Sequence, residues 1–63
     1  MEQEILEMIK SDSEKDGYGL MVIHFINRFG KDKEQEIKRI LNKLCKMNKI
    51  VCLDIHYFYV YQD

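Results

Sequence analysis

The 63-residue sequence predicts an α+β fold, with three helices followed by a short C-terminal β-hairpin. Three segments carry apolar residues at the three- and four-residue spacing of an amphipathic helix. The end of the chain is instead dense in β-branched and aromatic residues, which is typical of strands. Because so short a chain buries only about 60% of its unfolded surface, we expect one domain over residues 1–63 that benefits from a partner subunit.

The first helix is predicted over residues 2–10. Ile5, Leu6 and Ile9 form its apolar face, and its glutamates lie near the N-terminus, where the helix dipole favours negative charge. A connection rich in Ser, Asp and Gly follows, and it is long enough to extend this helix by a few residues. Residues around Tyr18 are candidates for a short strand.

The second helix is predicted within residues 18–29. Its first apolar residues, 20–23, also fit a buried strand, but the helical spacing continues beyond them and favours a helix. The residues with this spacing are Val22, Phe25, Ile26 and Phe29. Gly30 then stands where a C-cap glycine is expected. His24 lies inside this apolar segment, so we expect a half-buried structural histidine.

The third helix is predicted within residues 31–48. Asp32 is the expected N-cap, with Gln35 in the capping-box position, and Asn48 is the expected left-handed residue after the helix. The apolar face consists of Ile37, Ile40, Leu41 and Leu44.

Residues 31–50 also hold most of the positive charge of the chain. Seven basic and three acidic residues give this segment a net charge of +4, whereas the whole chain carries −1, so the remainder carries −5. The chain therefore combines one basic helix with an acidic body.

The C-terminal hairpin is predicted from two strand-like segments, joined at Asp54 and Ile55 by a short turn. In the second strand Phe58 and Val60 alternate with three tyrosines. We expect Phe58 and Val60 to face the helices, because tyrosine tolerates the solvent side better. The tyrosines would then form an exposed aromatic stripe, which favours a homodimer interface. They are Tyr57, Tyr59 and Tyr61.

The order of helix, loop, helix, tight turn, helix and hairpin resembles the winged helix-turn-helix family. Residues 5–9 resemble its first helix, 20–29 its second, 30–31 its turn and 36–50 the end of its recognition helix with the strand that follows. Residues 36–50 are also similar to the Z-nucleic-acid-binding branch. That branch uses an Asn and a Tyr on the recognition helix and a Pro-Pro-x-Trp motif in the wing. In this chain Lys38 and Asn42 stand at the Asn and Tyr positions, and there is no proline or tryptophan. The Z-form activity is therefore not carried over.

The resemblance implies binding of double-stranded DNA, with the third helix in the major groove. Arg pairs well with guanine, and Asn or Gln with adenine, whereas Lys mainly neutralises phosphate. Residues early in such a helix reach base edges. The predicted base contacts are Gln35, Lys38, Arg39 and Asn42. The predicted phosphate contacts are Lys31, Lys33, Lys43 and Lys46. We expect a small homodimeric transcription regulator of phage, viral or archaeal type, whose twofold axis sets two helices about one DNA turn apart.

Two observations oppose DNA binding. The net charge is slightly negative, and the hairpin carries no Lys or Arg. The alternative is a winged-helix protein-interaction module that does not bind DNA, in which the basic helix meets an acidic partner. A third hypothesis is a variant that binds Z-form DNA or RNA.

Other classes of function have little support in the sequence. No Ser/His/Asp arrangement, phosphate-binding glycine loop or pair of catalytic carboxylates stands out, so we expect no enzyme. Cys45 and Cys52 lack the spacing of a zinc site, so we expect reduced thiols and neither a metal nor a cofactor. The alternative is a disulfide, either between these two cysteines or between two molecules. The chain shows no signal peptide and no membrane span, so we expect the cytoplasm, or the host cytoplasm for a viral protein.

Overall fold

A computed structural model of the protein describes residues 1–61. Its elements are α1 (Glu2–Glu14), α2 (Val22–Phe29), a 3₁₀ turn (Lys31–Lys33), α3 (Glu34–Lys46), β1 (Ile50–Leu53) and β2 (His56–Tyr59). Three helices followed by a two-stranded antiparallel hairpin form an α+β arrangement that is consistent with a winged helix. The predicted fold class is therefore confirmed.

The core consists of apolar side chains that every helix and strand β1 contribute. The predicted apolar faces of α3 and α1 are confirmed, with Ile40 and Leu6 packed at their margins. The residues that are almost completely buried are Ile5, Ile9, Phe25, Ile37, Leu41, Leu44 and Ile50. Fully burying a side chain of this size contributes about 1.5–3 kcal/mol, so this cluster is what holds α3 in place.

Helix α1 runs four residues beyond its predicted end. Asp12, in this extension, accepts a hydrogen bond through Oδ2 from the Gly19 N–H at 2.9 Å. Ser13 accepts one through Oγ from the Tyr59 N–H at 3.1 Å. The added turn of α1 therefore anchors both the connection to α2 and strand β2.

Helix α2 begins at Val22, directly after Met21, whose backbone is extended. Leu20 forms an isolated antiparallel bridge with Tyr57, which partly bears out the expected strand in this region. His24 is exposed, so its prediction as a half-buried residue was wrong. Its side chain instead caps the helix, because Nδ1 accepts a hydrogen bond from the Met21 N–H at 2.9 Å. Gly30 ends α2 with a φ of 110°, as predicted for a C-cap glycine.

The start of α3 differs from the prediction. Asp32 lies inside the 3₁₀ turn and does not cap the helix; the N-cap position is Lys33, without a side-chain cap. The turn forms because the Gly30 carbonyl accepts a hydrogen bond from the Lys33 N–H at 3.1 Å. At the other end of α3, Asn48 has a φ of 59°, which confirms the predicted left-handed residue.

The hairpin register shows which faces of the strands are buried. Ile50 pairs with Tyr59, Val51 with Phe58, Cys52 with Tyr57 and Leu53 with His56. Directly opposed residues share a face of an antiparallel sheet, so the buried Ile50 brings Tyr59, and with it Tyr57, to the inner face. Both tyrosines pack against the core.

The prediction that Phe58 and Val60 face the helices was therefore wrong. A tyrosine can bury its ring while its hydroxyl reaches water, which makes Tyr57 and Tyr59 suitable for the half-buried inner face. Phe58 lies on the outer face, over Gly19: a Cβ added to this glycine would lie 2.7 Å from the Phe58 Cζ. The missing side chain of Gly19 thus makes room for the aromatic ring.

Candidate nucleic-acid interface

The surface of α3 opposite the core is continuous and polar. Its residues repeat at three- and four-residue spacing and are all exposed, while the other side of the helix is buried. The helix has 13 residues, so this face extends for about 20 Å. The residues along it are Gln35, Lys38, Arg39, Asn42 and Lys46.

All eight residues predicted to contact DNA are exposed. The four predicted base contacts lie on α3 within its first three turns, and Lys43 and Lys46 lie in its last turn. Lys31 and Lys33 lie in the 3₁₀ turn that leads into the helix. The fold thus brings the predicted residues together on one helix and the turn before it.

Glu34 pairs with two of the predicted cations. The Lys38 Nζ lies 3.0 Å from the Glu34 Oε2, and the Lys31 Nζ lies 3.2 Å from Oε1. The hydrogen bond from Lys38, followed by that from Lys31, lowers the pKa of the Glu34 carboxyl. Both lysines are thus partly neutralised in the free protein. The spacing of Glu34 and Lys38, i and i+4, is a sequence signal that identifies such a pair.

A third predicted cation, Lys43, pairs with the first helix. Its Nζ lies 2.9 Å from the Glu2 Oε1, and this ion pair joins α3 to α1 across 41 residues of sequence. No local pattern in the sequence predicts a contact of this range. Lys43 therefore has a partner within the protein in addition to its predicted phosphate contact.

The remaining predicted cations are Lys33, Arg39 and Lys46. None of the three forms an ion pair with another residue in the described part of the chain. A cation without an ion pair keeps its charge available to a ligand without breaking an existing contact. The strongest local positive charge of α3 therefore lies near the middle and the end of its exposed face.

The predicted tyrosine stripe is not an exposed surface. Of the three tyrosines only Tyr61 is exposed, and its ring meets that of Tyr59 edge to face at 4.9 Å. The Lys10 ammonium lies 5.6 Å from the Tyr59 ring centre, within cation–π range. Burial is the main reason why the pKa of Tyr57 is raised, and the nearby Cys52 thiol raises it further. Tyr57 and Tyr59 thus act mainly in packing within the monomer.

The outer face of β1, and Ile55 at the tip of the hairpin, are exposed and apolar, which sequence reasoning did not predict. Val51, Leu53 and Ile55 retain 38%, 59% and 58% of their possible exposure. The signal was present in the alternation along β1, since burial of Ile50 directs Val51 and Leu53 to the other side. The hairpin thus offers an exposed apolar strip along β1 and at Ile55, interrupted at the tip by the exposed Asp54.

A groove of about 500 Å³ lies between α1 and α2 and contains none of the predicted DNA contacts. Its charged lining has four acidic and two basic residues, so it is unfavourable for a phosphate. These residues are Glu4, Glu7, Asp12, Lys15, Asp16 and Arg28. The negative charge inferred for the body of the protein thus lines a concave surface.

Residues 1–61 contain neither a candidate group of metal ligands nor a helix that could cross a membrane. No three His, Cys, Asp or Glu side chains of residues 1–61 meet in a group that could hold a metal ion. None of the helices in this part of the chain has both the length and the apolar character needed to span a bilayer.

Comparison with protein-family models, curated proteins and solved structures finds no match to this chain.

Proposed function

We propose that this protein is a winged helix-turn-helix transcription regulator that binds specific sequences of double-stranded DNA. In this proposal it acts as a homodimer in the cytoplasm. The observation that carries the proposal is the exposed face of α3. There Gln35, Arg39 and Asn42 lie among lysines, opposite an apolar face that lies in and against the core. A rigid helix with this face fits the major groove of B-DNA, which is about 12 Å wide.

The side chains on this face have distinct roles in the proposal. Arg39 suits a bidentate contact with guanine, and Asn42 and Gln35 suit adenine, each good pair discriminating by about 1–3 kcal/mol. Lys33 and Lys46, which have no ion pair among residues 1–61, neutralise phosphates on either side.

The ion pairs of Lys31, Lys38 and Lys43 do not oppose DNA binding. All three lysines are more than half exposed, and exposed ion pairs are worth only about 0–1 kcal/mol. Exchanging a carboxylate for a DNA phosphate therefore costs little. The acidic groove between α1 and α2 lies outside the predicted contacts, so DNA approaches α3 and avoids it.

A second candidate function is a protein-interaction module without DNA binding. It is favoured by the exposed apolar side chains that the hairpin carries at Val51, Leu53 and Ile55. Such a hairpin adds no electrostatic attraction to DNA. The two functions differ in whether the protein binds a DNA duplex, and release of counterions makes such binding weaken steeply with salt.

A titration with fluorescent mixed-sequence duplex at two salt concentrations separates the two functions. We expect binding that weakens with salt. The logarithm of the binding constant should fall linearly with the logarithm of the salt concentration, and the slope should become shallower by about 0.9 for each phosphate contact removed, as in Lys46→Ala. Arg39→Ala should weaken binding and relax preference among sequences.

The matched control is Lys15→Ala, which removes the same charge from the exposed C-terminal end of α1. It should leave affinity and slope almost unchanged. Absence of binding at low salt would favour the interaction module, and equal effects of the three variants would remove α3 as the binding surface.

A further inference from the structure

Strand β1 forms a free edge of the sheet. Strand β2 lies between β1 and Leu20, because Tyr57 exchanges backbone hydrogen bonds with Leu20 at 2.7 and 3.1 Å. No backbone segment of residues 1–61 pairs with the other side of β1. One edge of the hairpin is thus occupied and the other is available.

The backbone groups on this edge follow from the printed hydrogen bonds. The Val60 N–H donates to the Lys49 carbonyl at 3.0 Å, so Lys49 directs its backbone towards β2. Hydrogen-bonding direction alternates along an antiparallel strand, so Val51 and Leu53 do the same. Ile50 and Cys52 therefore direct both their N–H and their C=O away from β2, to the free edge.

Strand β1 is short, at four residues, but it lacks three other features that keep such an edge from pairing. Natural edge strands are protected by charged side chains, by proline or by bulges. Residues Ile50–Leu53 contain none of these, and the register with β2 is regular over all four residues. On its outer face Val51 and Leu53 are exposed and apolar, at 38% and 59%.

We propose that β1 pairs antiparallel with β1 of a second copy of this chain, with the two Val51 residues side by side. In this register Ile50 of each copy lies opposite Cys52 of the other, so the edge N–H and C=O groups of both residues are bonded. The sheet becomes continuous across a twofold axis, and the exposed valines meet on its outer face.

A second copy is the occupant that the surface fits best. An antiparallel edge is its own complement, because rotation by 180° places each donor opposite an acceptor. The strand is uncharged, although 33% of the residues of the chain are charged, so an acidic or basic partner would gain no ion pair from it. This interface deepens the proposed function, since it supplies the dimer from the hairpin edge and not from the tyrosines.

Disulfide trapping tests the register without DNA, so its outcome is independent of DNA binding. In a Cys45→Ala/Cys52→Ala background, Val51→Cys places two thiols at a non-hydrogen-bonded pair. Its Cα atoms lie about 4.5 Å apart, within the range that a disulfide spans. Leu53→Cys is the matched control, because four residues of offset separate the two Leu53 residues by about 13 Å.

We expect mild oxidation with oxidised glutathione to link Val51→Cys into a covalent dimer and to leave Leu53→Cys mostly monomeric. Circular dichroism verifies that both variants are folded. Equal linkage of the two variants, or no linkage of folded Val51→Cys, would overturn the proposed register.

Sedimentation equilibrium tests the association itself. Val51→Lys places two ammonium groups side by side across the twofold axis, and we expect the dimer dissociation constant to rise by roughly tenfold or more. Ile23→Lys, at a residue of α2 that is 51% exposed, adds the same charge elsewhere and should leave it unchanged. A wild-type protein that stays monomeric up to millimolar concentration would overturn the proposal, as would a Val51→Lys dimer of wild-type affinity.

Discussion

Replacing Gly19 by alanine tests how the hairpin packs on the body of the protein. Gly19 is buried and has a φ of +87°, in the left-handed region that favours glycine. An added Cβ would lie 2.7 Å from the Phe58 Cζ, 2.9 Å from its Cε1 and 2.8 Å from the His56 Cβ. Contacts this short require the ring, the strand or the connection to move.

The cost of Gly19→Ala has two parts. Holding an alanine in the left-handed region costs about 1–2 kcal/mol, and overpacking a filled site costs about 1–3 kcal/mol more. The total is about 2–5 kcal/mol, whereas domains of this length are stable by only about 3–9 kcal/mol. Gly17→Ala is the matched control: its φ is +70°, but its added Cβ meets only the Ser13 carbonyl oxygen, at 3.8 Å. It should carry the backbone cost alone.

Urea denaturation followed by circular dichroism measures both variants. We expect the free energy of unfolding to fall by about 1–3 kcal/mol more in Gly19→Ala than in Gly17→Ala. In the double variant Gly19→Ala/Phe58→Leu, loss of the far ring atoms should restore part of that difference. Equal destabilisation by the two glycine substitutions, with no effect of Phe58→Leu, would refute the position of Phe58 on the outer face.

Three further predictions concern local contacts. His24→Ala removes the side-chain acceptor of the Met21 N–H and should destabilise the protein by about 1 kcal/mol in the same urea assay, as loss of a helix cap does; an unchanged midpoint would contradict the cap. The pKa of Glu34 is lowered in the folded protein, so its ion pairs stabilise above the unfolded pKa and are lost as pH falls through the folded one. Wild type should therefore lose stability over this acidic range more steeply than Glu34→Gln, which has no such titration. Burial raises the pKa of the Cys45 thiol, whereas Cys52 is exposed. Iodoacetamide should therefore alkylate Cys52 before Cys45, which mass spectrometry of peptides would show. Denaturant should remove this difference in rate between the two cysteines.

Parts of the fold could be predicted because their determinants are local. The three- and four-residue spacing of the apolar residues within 37–44 fits only a helix with one buried face. All four of them lie in or against the core. Gly30 and Asn48 were identified as helix ends because few residues adopt a positive φ at low cost. The exposed face of α3 follows from the same spacing, since it is the side that the core leaves free.

Other features depend on contacts between distant residues. Alternation along β2 allows two opposite orientations, and residue type alone favoured the wrong one; the decisive facts are the pairing of Ile50 with Tyr59 and the space over Gly19. The ion pair between Glu2 and Lys43 could not be predicted, because it requires the packing of α1 against α3. Asp32 is a residue type that often caps helices, but it lies in a 3₁₀ turn, so that α3 begins only at Glu34. This turn depends on a hydrogen bond to the Gly30 carbonyl, which the type of residue at position 32 does not reveal.

The most direct test of the proposed function is to map, by NMR, the amide shifts that a mixed-sequence DNA duplex causes in ¹⁵N-labelled protein. We expect the largest changes at Lys33 and along the exposed face of α3, from Gln35 to Lys46, and small changes in the groove between α1 and α2. Changes confined to α1 or to the hairpin, with the amides of α3 unmoved at low salt, would contradict binding of DNA by α3.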